Sequence, residues 1–367
     1  MANNIQKRPN GKWRARYRHE GQEHSRHFNR KSDAQSWLDD ITATIKTGQY
    51  VNPNAGKQTV EAFAGAWEAS QVGADNTLAL IDNALRLHIL PTLGAKPIGS
   101  LNRGIVQALV KDWSDSYAPG TVRNLYDVLS RLLAAAVDDK VLAITPCRKI
   151  ALPAMPEKEV VPPTVEQVTA ITMAMPDRYR AAAVLLAGSG LRIGELLGLK
   201  VSDVHPAFRT IRVERQRLQS GLISQPKSKK HRNVPVGQVV LDALQSHLEA
   251  FPSDEWLITP DAGEATSYAK WQQVWKTVRI ETGYTNVVTH DLRHFYASAL
   301  IAGGASVKQV QTVLGHSSPM ITLRVYAHLW PGDDDRTRDV MDSTLDGLRT
   351  VCGLAVSEVD SVAGQAT

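Results

Sequence analysis

The sequence predicts a multidomain α+β protein with a small N-terminal β-sheet plus helix, an all-α domain, and a mixed, mainly-α domain containing a small antiparallel sheet. Three observations predict this class. Apolar residues alternate with arginines early in the chain, a helical period follows for about ninety residues, and the last part mixes helical periods with short β-rich runs. A length of 367 residues also suits two or three domains.

The first part of the chain, residues 1–57, is strongly basic. Its first 31 residues contain nine lysines and arginines against two glutamates, a net charge of +7, whereas the whole chain carries +5. Alternation over residues 12–19 predicts a β-strand with one buried and one basic face. The buried face is Trp13, Ala15 and Tyr17, and the basic face is Arg14, Arg16 and Arg18, with Lys12 just before them. This row of cations predicts contact with nucleic acid, because a solubilising extension would not need the apolar face.

The same unit continues with a turn at Gly21 and a second strand over residues 23–28. Ser32 is expected to begin a helix, with Gln35 three residues later completing a capping box. The turn-rich stretch 47–56 is expected to end the unit and to serve as a linker.

The rest of the chain divides into a helical domain, a linker, a mixed domain and a tail. Their predicted bounds are residues 58–152, 153–163, 164–352 and 353–367. Prolines and charges mark the linker, and small polar residues mark the tail.

Within the helical domain, apolar spacing predicts four helices. One carries Val60, one ends at Pro91, one covers residues 102–113, and one begins after Thr121. The mixed domain has strands predicted over 210–218 and 222–225, and a third strand is predicted over 234–236, at a sheet edge because of its proline.

Composition excludes several classes of protein. Two cysteines, Cys147 and Cys352, are too few for a disulfide scaffold or a cysteine-based zinc site. No apolar run is long enough to span a bilayer, and residues 1–10 lack the apolar stretch of a signal peptide. We therefore expect a cytoplasmic protein that has no membrane partner.

Four polar clusters in the mixed domain are candidates for chemistry. They are Arg192 with Glu195, the basic segment 225–233, His290 with Arg293 and His294, and His316 followed ten residues later by Tyr326. Their ordinary alternatives are a surface ion pair, a solvated turn, a zinc pair and a packed aromatic ring. The zinc alternative fits poorly, since Asp291 stands where a metalloprotease has its catalytic glutamate and Arg293 would repel the metal.

Taken together, these side chains suit phosphoryl transfer with no metal or other cofactor. A guanidinium fork binds two phosphate oxygens, so Arg192 and Arg293 could neutralise charge as metal ions do elsewhere. A lysine can protonate the leaving oxygen. The Tyr326 phenol is a weak nucleophile at an ordinary pKa of about 10, so it needs a base or an electropositive site.

The order of these residues resembles the catalytic signature of the tyrosine recombinase family, and of its phage integrases in particular. The signature runs through Arg192, Lys227, His290, Arg293, His316 and Tyr326, in the strings SGLRIGEL, QPKSKKHRNVP, THDLRHFYAS and LGHSS and the final Tyr-Ala-His. The helical unit, which contains the string at residues 88–94, is similar to the core-binding domain of the family. Residues 11–38 resemble the arm-binding domain of phage integrases that hold two kinds of DNA site, most closely those of actinobacterial and mycobacterial phages. The resemblance implies the tyrosine recombinase fold.

The resemblance implies roles for these residues. Arg192 and Arg293 would clamp the scissile phosphate, and Tyr326 would attack it to give a 3′-phosphotyrosine and a free 5′-hydroxyl. Lys227 would protonate the leaving oxygen. Three neighbouring cations remain alternatives to Lys227, because sequence does not determine the register of the hairpin; they are Lys229, Lys230 and Arg232, which are otherwise expected to bind DNA.

The remaining site residues also take roles from the resemblance. His290 would be the general base or an orienting group, His316 would donate a hydrogen bond to the phosphate, and Glu195 would hold the basic groups in place. Two other classes remain open, namely a type IB topoisomerase, which uses a similar tyrosine site, and a catalytically inactive DNA-binding regulator.

The implied partners are double-stranded DNA attachment sites of core and arm type. Strand exchange would pass through a Holliday junction held by a homo-tetramer, without ATP. A host DNA-bending factor and an excisionase are implied as accessory proteins. A last helix, with Val340, Met341 and Leu345 at helical spacing, is expected either to pack on its own subunit or to dock onto a neighbouring one.

Overall fold

The computed structural model describes residues 4–19, 21–47, 50–52, 54–156, 159–226, 231–260, 263–330 and 334–351. The chain forms two compact units, Met1–Glu157 and Lys158–Thr367. The boundary between them lies inside the segment predicted as a linker, while the finer domain bounds stay predictions. The α+β class is confirmed by the secondary structure of both units.

The front of the first unit is a three-stranded antiparallel sheet with a helix packed on one face. Its elements are β1 (Asn4–Lys7), β2 (Trp13–His19), β3 (Gln22–Phe28) and α1 (Lys31–Lys46). The central strand is β2, and its Ala15 and Tyr17 are buried with Ala34 and Leu38 of α1. The predicted alternation of β2 is therefore confirmed, whereas β1 escaped prediction because Asn4–Lys7 has too little apolar character.

Two details of this unit differ from the prediction. Helix α1 begins at Lys31, so Ser32 already lies inside it and donates to Asp33 Oδ1 at 3.2 Å instead of capping the helix. The predicted Ser32–Gln35 capping box is wrong. Tyr50, predicted as part of a linker, is buried in the same core, and its hydroxyl lies 2.9 Å from that of Tyr17.

The rest of the first unit is all-α. Its helices are α2 (Val60–Ala69), α3 (Asp75–Ala84), α4 (Leu90–Leu93), α5 (Arg103–Ser116) and α6 (Pro119–Asp138). Pro91 does not end a helix as predicted. A π-helical turn at Leu85–Ile89 follows α3, and Pro91 occupies the first turn of α4, where its missing N–H costs little.

The second unit is mainly helical. Its helices are α7 (Val165–Ala174), α8 (Asp177–Ser189), α9 (Ile193–Leu197), α10 (Gln238–Ala250), α11 (Tyr268–Thr282), α12 (Asp291–Ala302), α13 (Val307–Leu314), α14 (Pro319–Tyr326) and α15 (Asp334–Val351). Helix α7 begins with a capping box between Thr164 and Gln167. The core contains the stacked rings of Trp271 and Trp275, whose centroids are 5.8 Å apart.

Two small antiparallel sheets accompany these helices. Strands β4 (Val204–His205), β5 (Thr210–Val213) and β8 (Arg232–Pro235) form one sheet in the order β4-β5-β8, and β6 (Gln216–Arg217) pairs with β7 (Ile223–Ser224). The edge position predicted for the proline-containing strand is confirmed.

The single strand predicted over residues 210–218 is instead divided between β5 and β6. Between them, Arg215 turns to form ion pairs with Asp203 and Glu214, which interrupts the ladder. In the described ranges, no helix is long and apolar enough to cross a membrane.

Candidate active site

A tight turn at the end of α8 places the first arginine of the site. Gly190 ends α8 in the left-handed conformation, with φ of +62°. A Cβ at Gly190 would lie 2.4 Å from the ring of Tyr296, so both the backbone angle and the packing require glycine. Arg192 follows at the N-cap of α9, with a partly exposed side chain.

Glu195 is the buried centre of an ionic network. Its side chain is 1% exposed and accepts from Arg192 Nη1 at 3.0 Å and from the backbone N–H of Arg192 at 2.9 Å. Arg232 donates to both carboxylate oxygens, at 2.9 and 2.8 Å. Burial alone would raise the pKa of Glu195, but the hydrogen bonds and charge of Arg232, with the charge of Arg192, lower it to about 2. The carboxylate is therefore ionised and fixes two guanidinium groups.

Arg232 is placed differently from its prediction as an exposed DNA-binding residue of a hairpin tip. Its side chain is 9% exposed, and its Nε donates to the carbonyl of Val313 at 2.9 Å. The strand β8 begins at Arg232 and directs it inward onto Glu195, a register that composition does not reveal. Lys227, Lys229 and Lys230 lie outside the described residues, so their predicted roles stay predictions.

Arg293, the second predicted clamp residue, is 2% exposed on the first turn of α12. Its Nη1 donates to the carbonyl of Gly190 and its Nη2 to the carbonyl of Leu314, both at 2.7 Å. Burial, followed by the charge of Arg192, lowers its pKa to about 9, so the guanidinium remains charged at neutral pH. Two carbonyls thus orient a buried cation.

Both arginines line one cleft together with the two predicted histidines. The cleft is lined by Arg192, His290, Arg293, Gly315, His316, Ser317 and Ile321. His316 follows the left-handed Gly315, and its Nδ1 lies 2.9 Å from Oγ1 of the buried Thr322 on α14. Burial, then the charges of Arg293 and Arg192, lowers the pKa of His316 to about 4. A neutral ring whose Nδ1 is engaged by Thr322 can present Nε2–H to an anion.

His290 stands at the N-cap of α12, beside the cleft. Although much of the residue is exposed, desolvation of its ring and then the positive neighbours His294, Arg293 and Arg192 lower its pKa to about 4. Its ring meets that of His294 edge-on, with centroids 4.9 Å apart. Among the described residues, no group of three or more histidines, cysteines or carboxylates is arranged to hold a metal ion.

Tyr326, the predicted nucleophile, is the last residue of α14 and is 1% exposed. Its hydroxyl lies 2.8 Å from Nδ1 of His294. Burial raises the pKa of Tyr326 to about 12 against the opposing charges of Arg293 and Arg192. The phenol is therefore protonated near two cations. The sequence indicates a role for His294 only as half of a zinc pair, although its position directly after Arg293 is a signal that it shares this site.

The cations of the front sheet form a separate basic surface. Lys12 and Arg18 are exposed, and Arg14 and Arg16 lie 3.4 and 3.7 Å from Glu23 on the next strand. The side chains of β2 that point away from α1 therefore present arginines along the middle of the sheet.

Replacing Glu195 by alanine should lower the free energy of unfolding by about 3–5 kcal/mol, because it leaves Arg192 and the buried Arg232 without their counter-charge. Urea denaturation measures this change. The matched control is Glu255→Ala, which removes an exposed pair with Lys200 and should cost less than about 1 kcal/mol. An equal loss of unfolding free energy in the two variants would contradict the ionic network.

Comparison with known proteins gives two family models. The Phage integrase family model matches residues 164–331, and the model of the Phage integrase N-terminal domain matches residues 2–47. The integrase of Mycobacterium phage D29 is 26% identical over 317 residues, covering 82% of this chain and 84% of that protein.

Solved structures share the fold. The Tn1549 transposon integrase in complex with a circular intermediate DNA superposes with a TM-score of 0.67 at 20% identity, covering 78% of this chain and 99% of that one. A lambda integrase tetramer bound to a Holliday junction gives a TM-score of 0.61 at 19% identity, covering 87% of this chain and 97% of that one. The fold implied by the sequence motifs is thereby confirmed.

Proposed function

Because the chain belongs to the phage integrase family of tyrosine recombinases, we propose that it is the site-specific DNA recombinase that integrates a phage genome at attachment sites. The observation that carries this proposal is the cleft where Arg192, Arg293 and His316 converge, with the Tyr326 phenol beside it. The cleft has the positive charge and the hydrogen-bond donors that bind one phosphodiester, and a nucleophile lies beside it.

Arg192 and Arg293 clamp the scissile phosphate and neutralise the charge that builds up as the phosphorus becomes five-coordinate. Glu195 accepts one hydrogen bond from the Arg192 guanidinium and one from its backbone N–H, and the carbonyls of Gly190 and Leu314 hold the guanidinium of Arg293. Because both forks are fixed before DNA arrives, little reorganisation is needed in the transition state.

Tyr326 attacks the clamped phosphate and forms a 3′-phosphotyrosine with release of a 5′-hydroxyl. Lys227 protonates the departing 5′-oxygen, and His316 donates a hydrogen bond to a phosphate oxygen. His290 orients the phosphate at the mouth of the cleft. The phosphotyrosine conserves the energy of the phosphodiester, so a 5′-hydroxyl of the partner duplex can rejoin the strand without ATP or a metal ion.

A recombination assay distinguishes this function from its two rivals. Two plasmids, each with one attachment site, should recombine into a single product with defined junctions. A type IB topoisomerase would relax supercoiled plasmids that lack attachment sites, and an inactive regulator would bind without forming a covalent adduct. Sequencing host–phage junctions from cells that carry the gene and the phage attachment region identifies the sites.

The basic sheet of the front unit serves as the arm-site reader. A two-stranded ribbon fits the major groove of DNA, and Arg14, Arg16 and Arg18 lie on one face of the central strand. Binding a second site through this unit would raise overall avidity by effective concentration. The chain between Tyr50 and Thr59 would provide the reach, since Tyr50 itself belongs to the front core.

Deleting residues 1–57 should abolish binding to isolated arm sites and stop integration of the full attachment region, while cleavage of an isolated core site continues. A full-length Arg14→Gln, Arg16→Gln, Arg18→Gln variant should lower the slope of log affinity against log salt on arm DNA by about 2 to 3. Normal integration by the protein that lacks residues 1–57 would contradict the arm-site proposal. Equal affinity of the front unit for arm-site DNA and for unrelated DNA would also contradict it.

Helix α15 is the proposed tetramer contact. Its Val340, Met341 and Leu345 are 52%, 48% and 43% exposed, so the helix leaves an apolar face uncovered on its own chain. Docking of this face onto a neighbouring copy would couple the active sites of the synaptic homo-tetramer.

The variant Met341→Asp, Leu345→Asp should still cleave a single core site but should form at least tenfold less tetrameric complex on DNA in gel shifts and light scattering. Val239→Asp, at a 74% exposed position on α10, is the control and should assemble normally. Unchanged assembly of the α15 variant would refute this contact.

We further propose that the protein works in the bacterial cytoplasm with a host DNA-bending factor and an excisionase.

A further inference from the structure

The hydroxyl of Tyr326 is hydrogen-bonded to a residue that the proposed roles leave unused. His294 Nδ1 lies 2.8 Å from this oxygen. We propose that His294 is a further catalytic residue, which holds the Tyr326 phenol and accepts its proton as the phenol attacks phosphorus. This inference deepens the proposed function and depends on it.

The ring of His294 contacts the rings of both His290 and Tyr326. Its ring is edge-on to that of His290, at 4.9 Å, and tilted 66° to that of Tyr326, at 5.6 Å. His290 lines the phosphate cleft, whereas His294 lines a neighbouring cleft with Asp291 and the segment 159–164. Of the two histidines, His294 therefore has the direct contact with the phenol, and His290 faces the substrate.

The protonation states suit a proton transfer from phenol to imidazole. Burial, and then the charge of Arg293, lowers the pKa of His294 against the opposing effect of Asp291, so the ring is neutral at pH 7. In the tautomer with its proton on Nε2, the Nδ1 lone pair accepts from the phenol. Since the pKa of Tyr326 is about 12, a free phenolate is rare, and the proton moves as the O–P bond forms.

The step balances as one concerted exchange. The phenolic oxygen forms a bond to phosphorus and its proton passes to Nδ1 of His294, which becomes an imidazolium. The bond from phosphorus to the 5′-oxygen breaks, and the general acid gives that oxygen a proton. The Asp291 carboxylate, held by the backbone N–H of Val288 at 2.7 Å, favours the imidazolium, and rejoining returns the proton to the phenol.

The other charged groups around His294 leave its ring neutral before the reaction and able to accept a proton. On its own helix they are His290, Asp291 and Arg293; from other elements they are Tyr326 and Glu159, which lines the same cleft. The Asp291 carboxylate offsets Arg293, and His290 is neutral near pH 7.

A sulfur substitution separates the two protons of the reaction. A suicide DNA substrate is made with either oxygen or sulfur as the bridging 5′ atom, because sulfur leaves without protonation. On the oxygen substrate, His294→Ala and His294→Asn should cleave about 10²–10³-fold more slowly than the wild type. Sulfur should restore the rate of Lys227→Ala, which lacks the general acid, and should leave both His294 variants slow.

Three results would overturn the proposal: a rate of His294→Ala within threefold of the wild type, rescue of His294 variants by sulfur, or a near-normal rate of His294→Asn. The last variant keeps an acceptor near the Nδ1 position and cannot take a proton, so it tests proton transfer apart from positioning. The wild-type cleavage rate should also fall at acidic pH, below the ordinary range of histidine because burial lowers the pKa of His294, and His294→Asn should lose this acidic limb.

Two controls keep the outcomes distinct. His328→Asn alters an exposed histidine whose Nε2 lies 3.0 Å from the backbone carbonyl of Val160, and this variant should cleave normally. DNA affinity and thermal unfolding report whether each variant is folded. If the wild type itself forms no covalent adduct, the proposed function fails. If the wild type forms the adduct but the His294 variants give one of the three contradicting results, only the inference about His294 fails.

Discussion

Tyr326→Phe should abolish the covalent protein–DNA adduct, with a fall in cleavage of at least about 10⁴-fold, while affinity for a core site changes less than about twofold. The substitution removes only the phenolic oxygen, which is the proposed nucleophile. It also removes one hydrogen bond to His294, so the free energy of unfolding should fall by only about 1 kcal/mol. Denaturing gels of reactions on a nicked suicide substrate measure the adduct.

The matched control for this experiment is Tyr296→Phe. Tyr296 is a second buried tyrosine of the same unit, 9% exposed on α12 with its ring against Gly190. Loss of its hydroxyl should leave cleavage within a few-fold of the wild type. An adduct formed by Tyr326→Phe would disprove the assignment of the nucleophile.

Arg293→Lys should slow single-turnover cleavage by about 10²–10³-fold and weaken DNA binding by less than about fivefold. The guanidinium donates to two carbonyls, those of Gly190 and Leu314, and still lines the cleft. A lysine keeps the charge but has one nitrogen in place of the planar fork, so it cannot hold both carbonyls and clamp two phosphate oxygens. The effect therefore appears in the transition state more than in affinity.

The comparison for this variant is Arg212→Lys, which alters an exposed arginine paired with Glu214 and should cleave normally. Thermal unfolding separates a misfolded Arg293→Lys protein from a slow one. Equal losses of affinity and rate would contradict the clamp. Abolition of wild-type cleavage by a chelator would contradict the metal-free mechanism.

Sequence alone located much of the candidate site because its residues lie in short motifs at element boundaries. Local strings in the sequence show three of these boundaries. They are Gly190 shortly before Arg192, the start of α12 at His290 and Arg293, and Gly315 directly before His316. Such boundaries are set by nearby residues, which a pattern can represent. The alternating β2 was predictable for the same reason.

Features that depend on distant residues were harder to predict. The sequence predicts Arg232 as an exposed DNA contact, whereas in the structure a partner 37 residues earlier, Glu195, holds it inside the site. The contact of His294 with Tyr326 spans 32 residues, and the break between β5 and β6 reflects an ion pair with Asp203. Periodicity carries no information about such pairings, because they are decided when the elements pack.

The hydrogen bond between His316 and Thr322 leads to a prediction about mutant alleles of the gene. It joins the phosphate cleft to α14, and the same helix ends at the tyrosine that His294 holds, so the proposed clamp and the proposed nucleophile lie together within one chain. We therefore expect each subunit to use its own phenol and not one from a neighbour. We expect alleles that destroy different residues of the site to fall into a single complementation group, and defective copies to poison mixed assemblies.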